Sequence, residues 1–257
     1  MSYFRRLAAY SIGSLFSLMI LAIYLEGLKF DVRPLPAATR GPVIIYARDR
    51  ETRLREPHTT VHIDMKRLQD FGPYLPAAVV AREDSRYYWH FGIDLLGILR
   101  AVFINTRSDG VQQEVSTITQ RVARSLFRDY IGGPTSLRRI LREGVVALKL
   151  ETFYSKDDIL LTYLNRVYLG PNISGFEEAA QYYFDKSAKE LTLSEAATLV
   201  GILPSPNAFD LCGDKDNKLR TIEYRDRVLK RMLDLGKIKQ DEYNRAKRWS
   251  QRCCRIG

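Results

Sequence analysis

Arg82-Glu83-Asp84-Ser85-Arg86-Tyr87-Tyr88-Trp89-His90-Phe91-Gly92-Ile93-Asp94 lies just past the point where the sequence turns helical. Two adjacent carboxylates, Glu83 and Asp84, stand ahead of four aromatic residues, a histidine and Gly92. A like charge close by and burial against aromatic rings both raise a carboxylate's proton affinity, which is how a general base is tuned. The same residues fit an acidic helix end facing water, and His90 alone fits a structural hydrogen-bonder. The residue types leave both readings open.

Outward from this stretch, apolar residues recur at helical spacing around 76 to 84, 94 to 105, 116 to 127, 136 to 151, 157 to 166, 175 to 183, 192 to 200 and 218 to 235. Ser155 with Asp158, and Thr192 with Glu195, each place a hydroxyl three residues before a carboxylate, the pattern of a capping box. Gly201, followed by Pro204, supplies a stop for the helix that Thr192 opens. A mainly α-helical domain is predicted. Upstream, residues 26–73 read as a linker and membrane-proximal segment with one short strand. His58 and His62 are four apart, but Thr59-Thr60-Val61 between them disfavours a helix, so no zinc site is expected.

Before the linker, Leu7 to Leu25 contains no charged residue. As a helix it would reach about 28 Å, roughly the hydrocarbon thickness of a bilayer. Arg5 and Arg6 precede it, which places residues 1–6 in the cytoplasm and everything after the span outside. A cleaved signal peptide is the other reading, but no small-x-small site follows and the run is long for one. A single-pass anchor is expected, followed by one globular domain over 74–250 and a tail at 251–257. Forty Lys and Arg against thirty Asp and Glu give +10, pointing to an anionic partner: nucleic acid, an anionic lipid surface or a phosphorylated substrate. Cys212, Cys253 and Cys254 fit either one bridge or incidental thiols.

Two further stretches carry chemistry. Ser116-Thr117-Ile118-Thr119-Gln120 presents hydroxyl and amide groups able to bond sugar or phosphate oxygens, with Arg121 and Arg124 following at helical spacing. It equally fits a polar helix cap with a solvated basic face. Arg139 and Glu143 are four apart on a helix whose apolar stripe reads Leu137, Leu141, Val145 and Leu148; on the opposite face they would make a surface ion pair of under about 1 kcal/mol.

The order of these stretches resembles the peptidoglycan glycosyltransferase family, the lysozyme-like domains of class A penicillin-binding proteins and of monofunctional transglycosylases. Glu83-Asp84-x-x-Tyr87-x-x-His90-x-Gly92 is similar to its first motif, Ser116-Thr-Ile-Thr-Gln120 to the second and Arg139-x-x-x-Glu143 to the third. Ile159-Leu-x-x-Tyr163-Leu-Asn165-x-x-Tyr168-x-Gly170 resembles the fourth, and Gly175, Ala179-Ala-x-x-Tyr183-Phe-x-Lys186 continues that likeness. Glu195-Ala-x-x-Leu199-Val-Gly201 with Pro204 resembles the fifth.

The resemblance implies a lysozyme-like helical domain behind one transmembrane helix. It would polymerise lipid II by inverting transfer onto a growing lipid-linked glycan, releasing polyprenyl diphosphate, in the cell membrane with its catalytic domain outside. Glu83 would be the base and Glu143 a second catalytic glutamate. Asp84, Tyr87, His90, Ser116, Thr117, Gln120, Arg124, Arg139 and Arg142 would bind substrate, the arginines at the leaving diphosphate. A divalent cation, Mg2+ or Mn2+, is the candidate metal, with no ligand set implied; no organic cofactor and no nucleic acid are expected. The partners would be the lipid-linked glycan, the membrane and cell-wall synthesis proteins, and no transpeptidase domain is expected. Glu114 and Val115 stand where the family has small residues, Arg121 where it has Gln, Ile140 where it has Lys and Leu161 where it often has Glu. A catalytically weak homologue that holds the lipid precursor as a scaffold is the alternative these departures suggest.

Overall fold

The computed structural model describes residues 64–99, 116–133, 136–171, 173–206 and 215–248, with isolated positions at 17, 20, 32, 45–46 and 53–55. The span expected at 7–25, His58, His62, Glu114, Val115 and all three cysteines lie outside these residues, save Ser17 and Ile20. Among the described residues no helix is long and apolar enough to cross a membrane. The chain divides into two compact units, one made of residues 1–36 and 91–155, the other of 37–90 and 156–257.

In the second unit, strands β1 (Ile45–Tyr46) and β2 (Arg53–Arg55) pair antiparallel, where the sequence suggested one strand. Helix α1 (Leu75–Glu83) follows a 3-10 turn at Leu68–Phe71; it accepts Pro76 because first-turn N–H groups have no helical acceptor, and it buries Leu75, Ala78, Val79, Val80 and Ala81. Later come the hairpin of β3 (Tyr168–Gly170) and β4 (Ile173–Ser174) and helix α6 (Phe176–Phe184). Helix α7 (Leu193–Ile202) is buried at every position; its apolar and small residues fill the core, and its polar Glu195 and Thr198 are bonded, to Lys186 and to the Ser194 carbonyl. Thr192 caps it, its hydroxyl accepting from the Glu195 N–H while the Glu195 carboxylate accepts from the Thr192 N–H at 2.9 Å. Helix α8 (Lys215–Asp234) packs along both α1 and α7, and helix α9 (Gln240–Arg248) packs on α8.

Gly201 does not stop α7, which runs through it to Ile202. Its missing Cβ lets α8 come close: a methyl there would sit 3.1 Å from the backbone of Tyr224 and Arg225.

The first unit holds a helical stretch at 95–99 and helices α2 (Ile118–Leu126), α3 (Arg128–Ile131) and α4 (Leu137–Phe153). The buried side of α4 is Glu143, Val146, Ala147 and Leu150, with Gly144 and Val145 beside it, while Leu141 and Ile140 are exposed. The stripe expected from the sequence is thus rotated, and Glu143 moves from the solvent face to the interior. A two-pronged, partly exposed partner, Arg124 of α2, lets the carboxylate occupy a core position.

Candidate functional site

Helix α1 ends at Glu83, which is partly exposed, and the chain then makes a tight turn through a 3-10 segment at Tyr87–Trp89. Within the turn the buried Asp84 and the half-buried His90 face each other. The His90 Nε2–H donates to the Asp84 carboxylate, with both oxygens 3.0 Å away, while Nδ1 is buried with no partner among the described residues. That arrangement fixes the neutral ring as the Nε2–H form. Asp84 therefore spends its charge on holding the turn.

Tyr87 is fully buried; its hydroxyl donates to the Lys156 carbonyl at 2.7 Å and the Lys156 ammonium lies 4.3 Å from its ring centre. It presents no surface to a substrate, contrary to its expected binding role. Tyr88, about half exposed, donates to the Asp157 carboxylate at 3.1 Å, and the partial loss of water around its packed side, helped by that negative charge, pushes its phenol up to about 12. Lys156 and Asp157 open helix α5 (Lys156–Arg166), so the turn is fastened to the start of that helix. On another side, Arg231 of α8 donates to the Ser85 hydroxyl at 3.0 Å.

The first unit contains the second and third motif stretches. Thr117 is the N-cap of α2: its hydroxyl accepts from the Gln120 N–H at 3.1 Å and donates to the Gly92 carbonyl at 2.6 Å, and its own N–H donates to the Gln120 side chain at 3.0 Å. Both residues expected to bind sugar or phosphate are thus engaged in structure, as is Thr119, which donates to Glu151 at 2.5 Å. The link to Gly92 has a steric counterpart. Gly92 has φ +76, and a Cβ there would meet the Ala147 carbonyl at 3.0 Å, so only glycine fits between α2 and α4. Ser116 keeps its hydroxyl buried, with no partner among the described residues.

Arg124 grips Glu143 with two bonds, Nε to Oε2 at 3.1 Å and Nη2 to Oε1 at 2.9 Å; Arg139 Nε lies 3.9 Å from the same Oε2. Two guanidinium groups around one carboxylate leave the cluster net positive, with planar N–H donors suited to phosphate oxygens. Arg142 turns away, donating to the Tyr130 carbonyl at 2.9 Å and covering its ring at 5.1 Å. Ile140, where the family's lysine would stand, is exposed, so a cation at that position would face solvent. Both Glu143 oxygens meet guanidinium groups, and among the described residues no three His, Cys, Asp or Glu gather to hold a metal ion. This donor set does not fit a divalent cation.

The fourth and fifth motif residues are scaffold. Asn165 exchanges two 2.9 Å bonds with the Met65 backbone, Tyr183 donates to the Leu169 carbonyl at 3.1 Å, and Lys186 pairs with Glu195 at 2.7 Å. No local pattern signals the Tyr88–Asp157, Thr119–Glu151 or Arg231–Ser85 contacts. Each joins residues far apart in the chain.

The transglycosylase family model matches residues 51–233. Penicillin-binding protein 1A of Haemophilus influenzae is 36% identical over 241 residues, 94% of this chain and 27% of that protein. Its namesake in Neisseria flavescens is 39% identical over 71% of this chain and 22% of that one, and the one in Escherichia coli K12 is 38% identical over 70% and 20%. A crystal structure of the Haemophilus influenzae protein covers 75% of this chain and 18% of its own, with 25% identity and a TM-score of 0.45. The chain thus spans about a quarter or less of the length of these relatives. With its family match running from ahead of the Glu83 turn through Arg124 and Glu143 to the end of α8, the chain belongs to the transglycosylase family.

Proposed function

We propose that this chain is a membrane-anchored peptidoglycan glycosyltransferase that extends a lipid-linked glycan with lipid II. The observation that carries the reading is Glu83: a partly exposed carboxylate at the exit of α1, on a turn whose Asp84, Ser85, Tyr87, Tyr88 and His90 are occupied in holding it. The family match and the relatives called penicillin-binding protein 1A support the substrate class. The apolar 7–25 segment supports an anchor, and the charge of +10 suits an anionic, membrane-confined substrate.

In the reaction the 4-hydroxyl of the acceptor attacks the anomeric carbon of the donor. Glu83 takes the hydroxyl proton, the bond from that carbon to the diphosphate oxygen breaks, and polyprenyl diphosphate leaves with its electron pair. Arg124 and Arg139 meet the charge that grows on the diphosphate, and Glu143 keeps their guanidinium planes in place. Purified protein in detergent should convert lipid II to glycan chains, and Glu83→Gln should lower the rate by about 10²- to 10⁴-fold without unfolding the protein.

The exposed Ile140 favours a second reading, a slow homologue that retains the lipid precursor without extending it. Wild-type protein that binds lipid II but yields no polymer would select it.

A further inference from the structure

We infer that Arg231, outside every motif stretch, is a positioning residue for Glu83; the inference rests on the glycosyltransferase reading above. Arg231 lies near the C-terminal end of α8, 146 residues from Ser85, yet its Nη2 donates to the Ser85 hydroxyl at 3.0 Å. Other cations of the same helix behave differently. Arg227 pairs with Glu223 and Lys230 with Asp234, each one turn away along α8. Four residues before and after Arg231 stand Arg227 and Leu235, and the acid three residues on, Asp234, already pairs with Lys230; Arg231 reaches across to the turn instead.

The place of that contact gives it a consequence. Ser85 is two residues beyond Glu83, and α8 packs along α1. The Asp84–His90 pair closes the turn on itself, and Tyr87 and Tyr88 tie its later part to the start of α5. Arg231 ties its first part to α8. With the turn held on both sides, the direction in which the Glu83 carboxylate leaves α1 is set before substrate arrives, and a base displaced by about 1 Å loses on the order of 10²-fold in rate.

The test measures turnover of lipid II in the full chain and amide hydrogen exchange across residues 83–90. Arg231→Ala should lower kcat about 10-fold with KM within about twofold, and should speed exchange in 84–90 while α7 stays protected. Ser85→Ala should reproduce the loss, the double variant should lose no more than either single one, and Arg227→Ala should leave turnover unchanged. Wild-type turnover and exchange in Arg231→Ala, or additive losses in the double variant, would overturn the inference. If wild-type protein shows no turnover, the glycosyltransferase reading fails while exchange still judges the contact: faster exchange in both single variants upholds the anchoring role, and unchanged exchange rejects it.

Discussion

Glu83 and Asp84 are adjacent acids with opposite fates. Asp84 faces inward to His90 at 3.0 Å and is buried; Glu83 ends the helix partly exposed. His90→Ala would take one partner from the buried Asp84 carboxylate, a loss of about 1 to 3 kcal/mol. Denaturant unfolding should show a lower midpoint with an unchanged slope, and an unchanged midpoint would mean the pair is not holding the turn. Tyr88 gives a pH signature. Its pKa, raised to about 12 by partial burial and Asp157, means the folded protein keeps the phenol neutral while the unfolded chain ionises from about 10. The stabilisation is complete below pH 10 and disappears as pH rises toward 12. Tyr88→Phe should therefore flatten the fall in stability across that window, read by thermal melts at pH 9, 10 and 11.

At the scale of elements, the helices were legible where apolar spacing and caps agreed, as in α7 with Thr192 and Glu195. What escaped was contact between distant segments. Gly201 looked like a stop signal because local sequence does not reveal that the α8 backbone comes within 3.1 Å of the position of its absent Cβ. Gly201→Val should push α8 away and cost about 1 to 3 kcal/mol despite removing a helix-interior glycine, a drop of several degrees in Tm; an unchanged Tm would refute the close packing. Helix α9 was missed because only Ala246 of its sequence is buried, leaving no apolar period to read. The face of α4 was misjudged because a charge was assumed to face water, whereas Glu143 is buried against Arg124. Arg124→Ala removes that partner and should destabilise by about 2 kcal/mol, less than for a fully buried pair because Arg124 is partly exposed. Arg124→Ala/Glu143→Gln should recover part of that stability but not activity, which unfolding and turnover assays would separate.

For the whole molecule, the order of motifs along the chain revealed more than any one of them did. In the local sequence the Glu83 stretch fitted a surface acid as well as a base, and Ser116 to Gln120 fitted a cap as well as a binding loop. The structure makes Thr117 and Gln120 a cap and keeps Asp84 and Tyr87 for the turn, while the chemistry proposed for Glu83 and for the Arg124–Glu143–Arg139 cluster rests on the glycosyltransferase reading. The family match extends over both compact units. The central claim is that Glu83 is the base of a lipid II polymerase, and the most direct measurement compares glycan chain formation by the wild type and Glu83→Gln in detergent with lipid II. Polymer from the wild type, with a loss of about 10²-fold or more in a folded Glu83→Gln variant, is the predicted result. Equal polymer yield and rate from both proteins would contradict it.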